Sequence, residues 1–324
     1  MSVRFGVFVP QGWRMDLAGI ADPIEKYEAM TRVARVADSI PAYDSIWVYD
    51  HFHTVPRPVH ETTFEAWTST AGLVRDTTRV HVGQMVTAVA YRNPALLAKM
   101  ASTVDVMSHG RLYCGIGAGW YEHEWRAYGY GFPETRPRMR AFREATEIIV
   151  KMWTEDEPVF HGEHYTIDKP INEPKGARKP HPSLWIGGGG EQVTLRLVAR
   201  YADACNVGDG DVATIKHKLE VLRGHCEAVG RNYDDIARST TLNVLPLRAG
   251  QDPMQATAKL REATGISYDD LAKRSIIGTP EQLVEAVQQR LDAGLTYVLF
   301  YLQRLAYDHE PMQMLAEQVL SHFG

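Results

Sequence analysis

The feature that most restricts the fold of this chain is a rhythm in which short β-rich runs alternate, from end to end, with longer segments of helical period. The runs are VRFGVFV (3–9), SIWVYD (45–50), VHVGQMVT (80–87), RLYCGIG (111–117), SLWIGG (183–188), ACNVG (204–208), TTLNVLP (240–246) and TYVLFYL (296–302). Most are apolar on both faces, the pattern of parallel strands buried from two sides. Between most of them lie amphipathic segments such as PIEKYEAMTRVARVADSI (23–40), PALLAKMASTVDVMS (94–108) and PEQLVEAVQQRLDAG (280–294). Eight such strands, each followed by a helix, predict an α/β fold of the (β/α)8 TIM-barrel type. An open doubly wound sheet more often has five to seven strands and a glycine fingerprint after the first, whereas the first run here ends in VPQG. At 324 residues and 44% hydrophobic composition the chain can bury one large core, so residues 1–324 are read as a single domain.

Two stretches break the rhythm and are read as insertions. Residues 154–182 hold five prolines and a turn at His161–Gly162, which predicts a β-hairpin and an exposed loop before strand five. Residues 250–275 are polar and helical in period, an insertion before strand eight.

Bulk properties exclude several function classes. With 35 basic against 40 acidic residues, and no basic block, the chain has nothing to track a phosphate backbone, so nucleic acid is not an expected partner. Its three cysteines, Cys114, Cys205 and Cys226, are odd in number and form no CxxC pair, which argues against a disulfide framework and a zinc ribbon. The first residues lack the apolar core of a signal peptide, and no run of about 18 apolar residues occurs. The expectation is a cytoplasmic protein, away from membranes, acting on a small molecule.

In a barrel, chemistry gathers where strands finish, because the loops there can vary without disturbing the interior. Unusual residues do collect at those points. DSIWVYDHFH ends in Asp50, His51 and His53, and a carboxylate next to an imidazole suits proton transfer near neutral pH. The HFH triplet also fits a metal, but a catalytic metal needs at least three protein ligands and the other strand ends supply few, so no metal is assigned. GIGAG (115–119) fails the dinucleotide pattern, which would require glycine at Trp120. Its glycines either relieve crowding or let the backbone lie flat against a planar ring. GGGGEQVTLRLVARYAD (187–203) converges successive N–H groups at a helix start near Glu191, an arrangement suited to phosphate.

Taken together, the strand-end Asp50–His51, the RNP of YRNPALLAK (91–99), GIGAGW and WIGGGG, each of the last two followed by a helix, resemble the bacterial luciferase-like monooxygenase superfamily. Within it they look most like the oxidoreductases that use the deazaflavin coenzyme F420, with FMN as the alternative cofactor. The resemblance runs from about residue 3 to about residue 302. It implies a barrel with the deazaflavin across its C-terminal mouth, hydride transfer to or from a small organic substrate, and frequent dimer formation. By position, Asp50 would touch the cofactor and His51 would give or take the proton. Gln84–Met85 would be the non-prolyl cis peptide that supports one ring face. Gly117 and Gly119 would lie along the cofactor, Gly187, Gly188, Gly189 and Gly190 would hold its phosphate, and Asn206 would close that end. Sugar-phosphate dehydrogenases of the superfamily carry a carboxylate directly after the fourth-strand glycines, where this chain has Trp120, so sugar-phosphate oxidation is not expected. Two readings compete with the F420 enzyme: an FMN-dependent monooxygenase on the same fold, and a non-catalytic cofactor-binding barrel. Substrate choice is expected to lie in loops 53–63, 120–136 and 154–182.

Overall fold

A computed structural model describes residues 3–208 and 211–323. Its eight barrel strands are β1 (Arg4–Phe8), β2 (Ser45–Val48), β3 (His81–Gln84), β4 (Leu112–Gly117), β5 (Ser183–Gly187), β6 (Ala204–Asn206), β7 (Ala237–Pro246) and β8 (Tyr297–Leu302). Each pairs in parallel with the next, and β8 pairs with β1, so the sheet closes on itself as the alternation predicted. The enclosing helices are α1 (Pro23–Ser39), α2 (Ala66–Asp76), α3 (Pro94–Met107), α4 (Thr135–Thr154), α5 (Thr194–Tyr201), α6 (Val212–Val229), α7 (Pro280–Asp292) and α8 (Glu310–Gln318). No described helix is long and apolar enough to cross a membrane.

Alternation along each strand sorts side chains between two cores. Trp47, Tyr49, Tyr113, Trp185, Tyr297, Leu299 and Tyr301 fill the barrel, while Ile46, Val48, Val298, Phe300 and Leu302 face the helices. The interior is aromatic rather than aliphatic, and glycine makes room for it. A Cβ on Gly6 or Gly83 would come within 2.5 Å of the Trp47 indole. At the N-terminal end the aromatics finish in a polar network: Trp47 Nε1 donates to Ser45 Oγ at 2.6 Å, and the Tyr297 and Tyr113 hydroxyls donate to Asp44 at 2.5 and 3.1 Å. That end is filled by side chains, and the cavity lined by the strand-end residues lies at the opposite mouth.

The first insertion forms the expected hairpin, Val159–His161 against Thr166–Asp168. It is fastened to α4 by Glu144, whose carboxylate accepts from the amides of Glu163, His164 and Tyr165. The second insertion is three short helices, Pro253–Ala256, Ala258–Thr264 and Tyr268–Arg274. Asp252 caps the first, Gly265 at φ 70° ends the second, and Ser267 caps the third. A short strand missed by the sequence pattern, Ile276–Gly278, then pairs with the outer end of β7.

Strand bounds differ from expectation in several places: β6 stops at Asn206, two residues early, and β7 begins at Ala237, three residues early. Tyr49 and Asp50 lie beyond β2, and the run 80–87 is split into β3 and a two-residue strand, Thr87–Ala88, that pairs with Ile116–Gly117. The non-prolyl cis bond lies between these pieces at Met85–Val86, one residue later than the expected Gln84–Met85.

Candidate active site

A cavity of about 410 Å³ opens at the C-terminal mouth, and both of the strongest sequence signals line it: Asp50 and His51 on one side, Gly187 and Gly188 on the other. Met85, Gly117, Gly119 and Asn206 are also in its wall. Three candidates are not. Gln84 is turned toward α2, where its Nε2 donates to Thr70 Oγ1 at 2.8 Å. Gly189 and Gly190 lie further along the glycine loop, against Lys218 and Thr194.

His51 is held from three directions. Its ring stacks on Trp13 with centroids 4.2 Å apart, while Trp120 and Tyr121 meet it edge-on. Its Nδ1 is 2.9 Å from Glu124 Oε2. The expected carboxylate partner was the adjacent Asp50; the actual one comes from the short helix Glu122–Ala127 that follows β4. Glu124 is fully buried, and every group bonded to it is a donor: the amides of Phe52 and His53 to Oε1, the Tyr91 hydroxyl and His51 to Oε2. Burial pushes this carboxyl up, but the His51 hydrogen bond and charge and the two amides outweigh it and hold the group below the ordinary carboxylate range. Burial, with the Glu124 charge beside it, drives the Tyr91 hydroxyl far up, so it remains a donor. An ionised Glu124 accepts a hydrogen bond from Nδ1–H, which holds that proton on Nδ1 and orients the ring. No described residue is hydrogen-bonded to Nε2, which is left for the cavity that His51 lines.

Asp50 has a different duty. Its carboxylate accepts from the Ala88 amide at 3.0 Å and forms a two-point pair with Arg92 at 2.7 and 3.0 Å. Arg92 is the arginine of the RNP motif and also contacts Glu65, the N-cap of α2. Burial alone would pull the Arg92 guanidinium down, but Asp50 and Glu65 more than offset it and raise it. Asp50 thus ties the end of β2 to the segment after β3, and its contribution to the cavity wall is that of a fixed anion.

Val86 explains several glycines. A Cβ on Gly117 would fall 2.5 Å from Val86 Cγ2, and one on Gly187 would fall 2.7 Å from Cγ1. Crowding by this one side chain therefore requires glycine in both strands. Gly119 is set by conformation, at φ 74°, and by the Trp125 ring, 2.7 Å from where its Cβ would be.

At the far end the Gly188 amide donates to Asn206 O at 2.9 Å, tying the loop to β6. Asn206 is braced in turn by Ser239 and Thr241 at 3.1 and 3.3 Å. The helix starts at Thr194, three residues later than expected, and residues 191–193 form a turn ahead of it. Among the described residues, the amides of Gly189, Gly190 and Glu191 have no main-chain acceptor, so they are available to an anion. Lys218 on α6, unmarked by any sequence signal, brings its methylenes against Gly189 and its ammonium to Glu191 at 2.5 Å.

Other sequence features resolve simply. His53 does not join His51; its Nδ1 faces that of His123 at 2.9 Å. No three histidine, cysteine or acidic side chains among the described residues are grouped as a metal site would need. Glu122 is exposed and paired with Arg126. None of residues 154–182 lines the mouth, whereas the 250–275 insertion does, in a second chamber described below.

Residues 3–262 match the profile of the luciferase-like monooxygenases. An F420-dependent glucose-6-phosphate dehydrogenase of Kineococcus radiotolerans is 31% identical over 291 residues, 80% of this chain and 82% of the relative. An FMNH(2)-dependent dimethylsulfone monooxygenase of Pseudomonas putida is 27% identical over 237 residues, 64% of this chain and 65% of the relative. Among solved structures, an F420-dependent secondary alcohol dehydrogenase in complex with an F420-acetone adduct has the same fold, with a TM-score of 0.78 at 18% identity across 98% of both chains. With a profile match over most of its length and a relative above 30% identity, this chain belongs to the luciferase-like monooxygenase family.

Proposed function

We propose that this chain is a two-electron oxidoreductase that transfers hydride between coenzyme F420 and a small organic substrate, with His51 giving or taking the accompanying proton. The observation that carries this reading is the oriented His51: Nδ1 is committed to Glu124, and the other ring nitrogen is left for the cavity that also reaches the glycine loop. F420-dependent enzymes among its relatives support the choice of cofactor.

The residues present suit a long, phosphate-tailed ring system. Free amides at Gly189, Gly190 and Glu191 would take the phosphate, with Asn206 bracing that end. Met85 and the flat backbone at Gly117 and Ala118 would form the wall for the ring. When bound, a deazaflavin supplies or accepts the hydride and has little use for oxygen. The chain's own part is to orient and to handle a proton. Reduction of a carbonyl or enoyl group takes up one hydride and one proton, and oxidation of an alcohol releases the same pair. His51 Nε2 is the donor in the first direction and the acceptor in the second, while Glu124 stabilises the ring in its protonated form. Stacked Trp13 and edge-on Tyr121 keep the imidazole in place and exclude water from it.

The test is binding of F420 and FMN to the purified protein, followed by turnover of His51→Ala. Expected are F420 binding and, in the variant, nearly unchanged cofactor affinity with turnover lower by about 10²–10⁴. Tight FMN binding without F420 binding refutes the cofactor assignment, and unchanged turnover removes His51 from the mechanism.

A further inference from the structure

Next to the cavity that His51 lines lies a second chamber of about 510 Å³, a size that suits a small organic ligand. The two share Trp13, Arg14, Trp120 and Asn243 as walls, so they are neighbouring compartments of one mouth. The outer wall comes from the helical insertion between β7 and β8, through Leu260, Ile266 and Leu271, and is completed by Val55 and Pro56. No aspartate, glutamate or lysine among the described residues lines this chamber. Thr264, Ser275 and Gln303 line it as well, and of its two arginines Arg14 lies 4.2 Å over the Tyr301 ring and donates to Asn243 Oδ1 at 2.5 Å, while Arg274 belongs to the last turn of the third insertion helix.

A polar group lying against the Val55, Leu260, Ile266 and Leu271 side of this space would give up water for an apolar wall. Buried polar groups without partners are strongly penalised, whereas an apolar molecule gains by the same transfer. We infer that this chamber receives the body of the substrate, and that this body is apolar and packs against Val55, Leu260, Ile266 and Leu271, with the reacting carbon at the Trp13–Trp120 partition beside His51. The inference rests on the oxidoreductase reading and narrows it: the insertion selects for apolar bulk.

The test uses the neutral fluorophore N-phenyl-1-naphthylamine as the ligand, titrated into the full chain with and without F420. Expected is one probe per chain, bound alongside F420, with affinity lowered about tenfold or more by Ile266→Asp and by Trp120→Glu, each of which sets a charge in the apolar wall. Trp120 is 61% exposed, so its substitution keeps the test meaningful if Ile266→Asp fails to fold. Ile266→Leu should restore binding. Probe binding that survives both charged substitutions, or that glucose 6-phosphate or F420 displaces, overturns the inference while leaving the cofactor assignment in place. Loss of F420 binding in the unmodified protein instead removes the reading beneath it, and the inference with it.

Discussion

Glu124 Oε2 and His51 Nδ1 stand 2.9 Å apart across 73 residues of chain, and the carboxylate that holds the imidazole receives donors at all of its four hydrogen bonds. Glu124→Gln keeps the shape and replaces one acceptor oxygen by an amide that is itself a donor. With its oxygen turned to the Phe52 and His53 amides, the new NH2 donates toward Tyr91 and His51, so Nδ1 must accept and the ring proton moves to Nε2. The expected result is a fall in turnover of about 10² or more with F420 affinity retained, and a stability loss of about 1–3 kcal/mol. Glu124 acts through His51, so the pH profile of turnover should shift in the variant; a purely structural role would leave that profile in place.

The same carboxyl sets an acid limit on stability. Its pKa in the folded protein lies below the ordinary 4.5, because the His51 bond and the loop amides outweigh the opposing effect of burial. A depressed carboxyl contributes stability that is present above its unfolded pKa and lost as pH falls through the folded one. Urea unfolding followed from neutral pH into the window below about 4.5 should therefore show a steeper decline for the unmodified protein than for Glu124→Gln. Parallel curves would mean that Glu124 is not the group titrating.

Much of this architecture was legible because the strands announce themselves: apolar runs of the right length, rich in valine, isoleucine and aromatics, recur eight times, and closure of the barrel follows from that count. The shared mouth of Asp50–His51 and the glycine loop was legible for the same reason, since strand ends converge in a barrel. Contacts between loops were not. The pairing of His51 with Glu124 depends on how the chain folds back after β4, although one signal was available: residues two apart on a helix point to nearly opposite sides. With Glu122 four residues before Arg126 on the solvent side, Glu124 faced inward beside Trp125. The cis bond was misplaced by one residue because nothing in GQMVT distinguishes one peptide unit from the next. The 250–275 insertion was recognised as helical, but its role in the mouth depends on tertiary packing.

Arg92 joins Asp50 and Glu65, and the Asp50 side chain is fully shielded from solvent. Removing the guanidinium leaves a buried anion supported by the Ala88 amide alone. Arg92→Ala should cost about 3–5 kcal/mol in urea unfolding, the range for breaking a buried pair from one side. Adding Asp50→Asn should return part of that loss, because the uncompensated charge is gone. An Arg92→Ala effect below about 1 kcal/mol would show that the pair is solvated in the folded protein.

Gly117 offers a direct choice between two reasons for a glycine, crowding within the protein and close approach of a ligand. Alanine there places its methyl 2.5 Å from Val86 Cγ2, so Gly117→Ala should destabilise by about 1–3 kcal/mol through overpacking. Val86→Ala removes the Cγ2 methyl that would collide and opens space on the same wall. If crowding is the reason, the double variant should be more stable than the two separate losses predict, with a favourable coupling above about 0.5 kcal/mol in a double-mutant cycle. Close approach makes a separate demand, because Gly117 also lines the cavity. In that case the double variant, although refolded to good stability, should still bind F420 more weakly than Val86→Ala alone. Measuring stability by urea and cofactor affinity by fluorescence on the same four proteins separates the two: recovery of both assigns the glycine to Val86, and recovery of stability without affinity assigns it to the ligand as well.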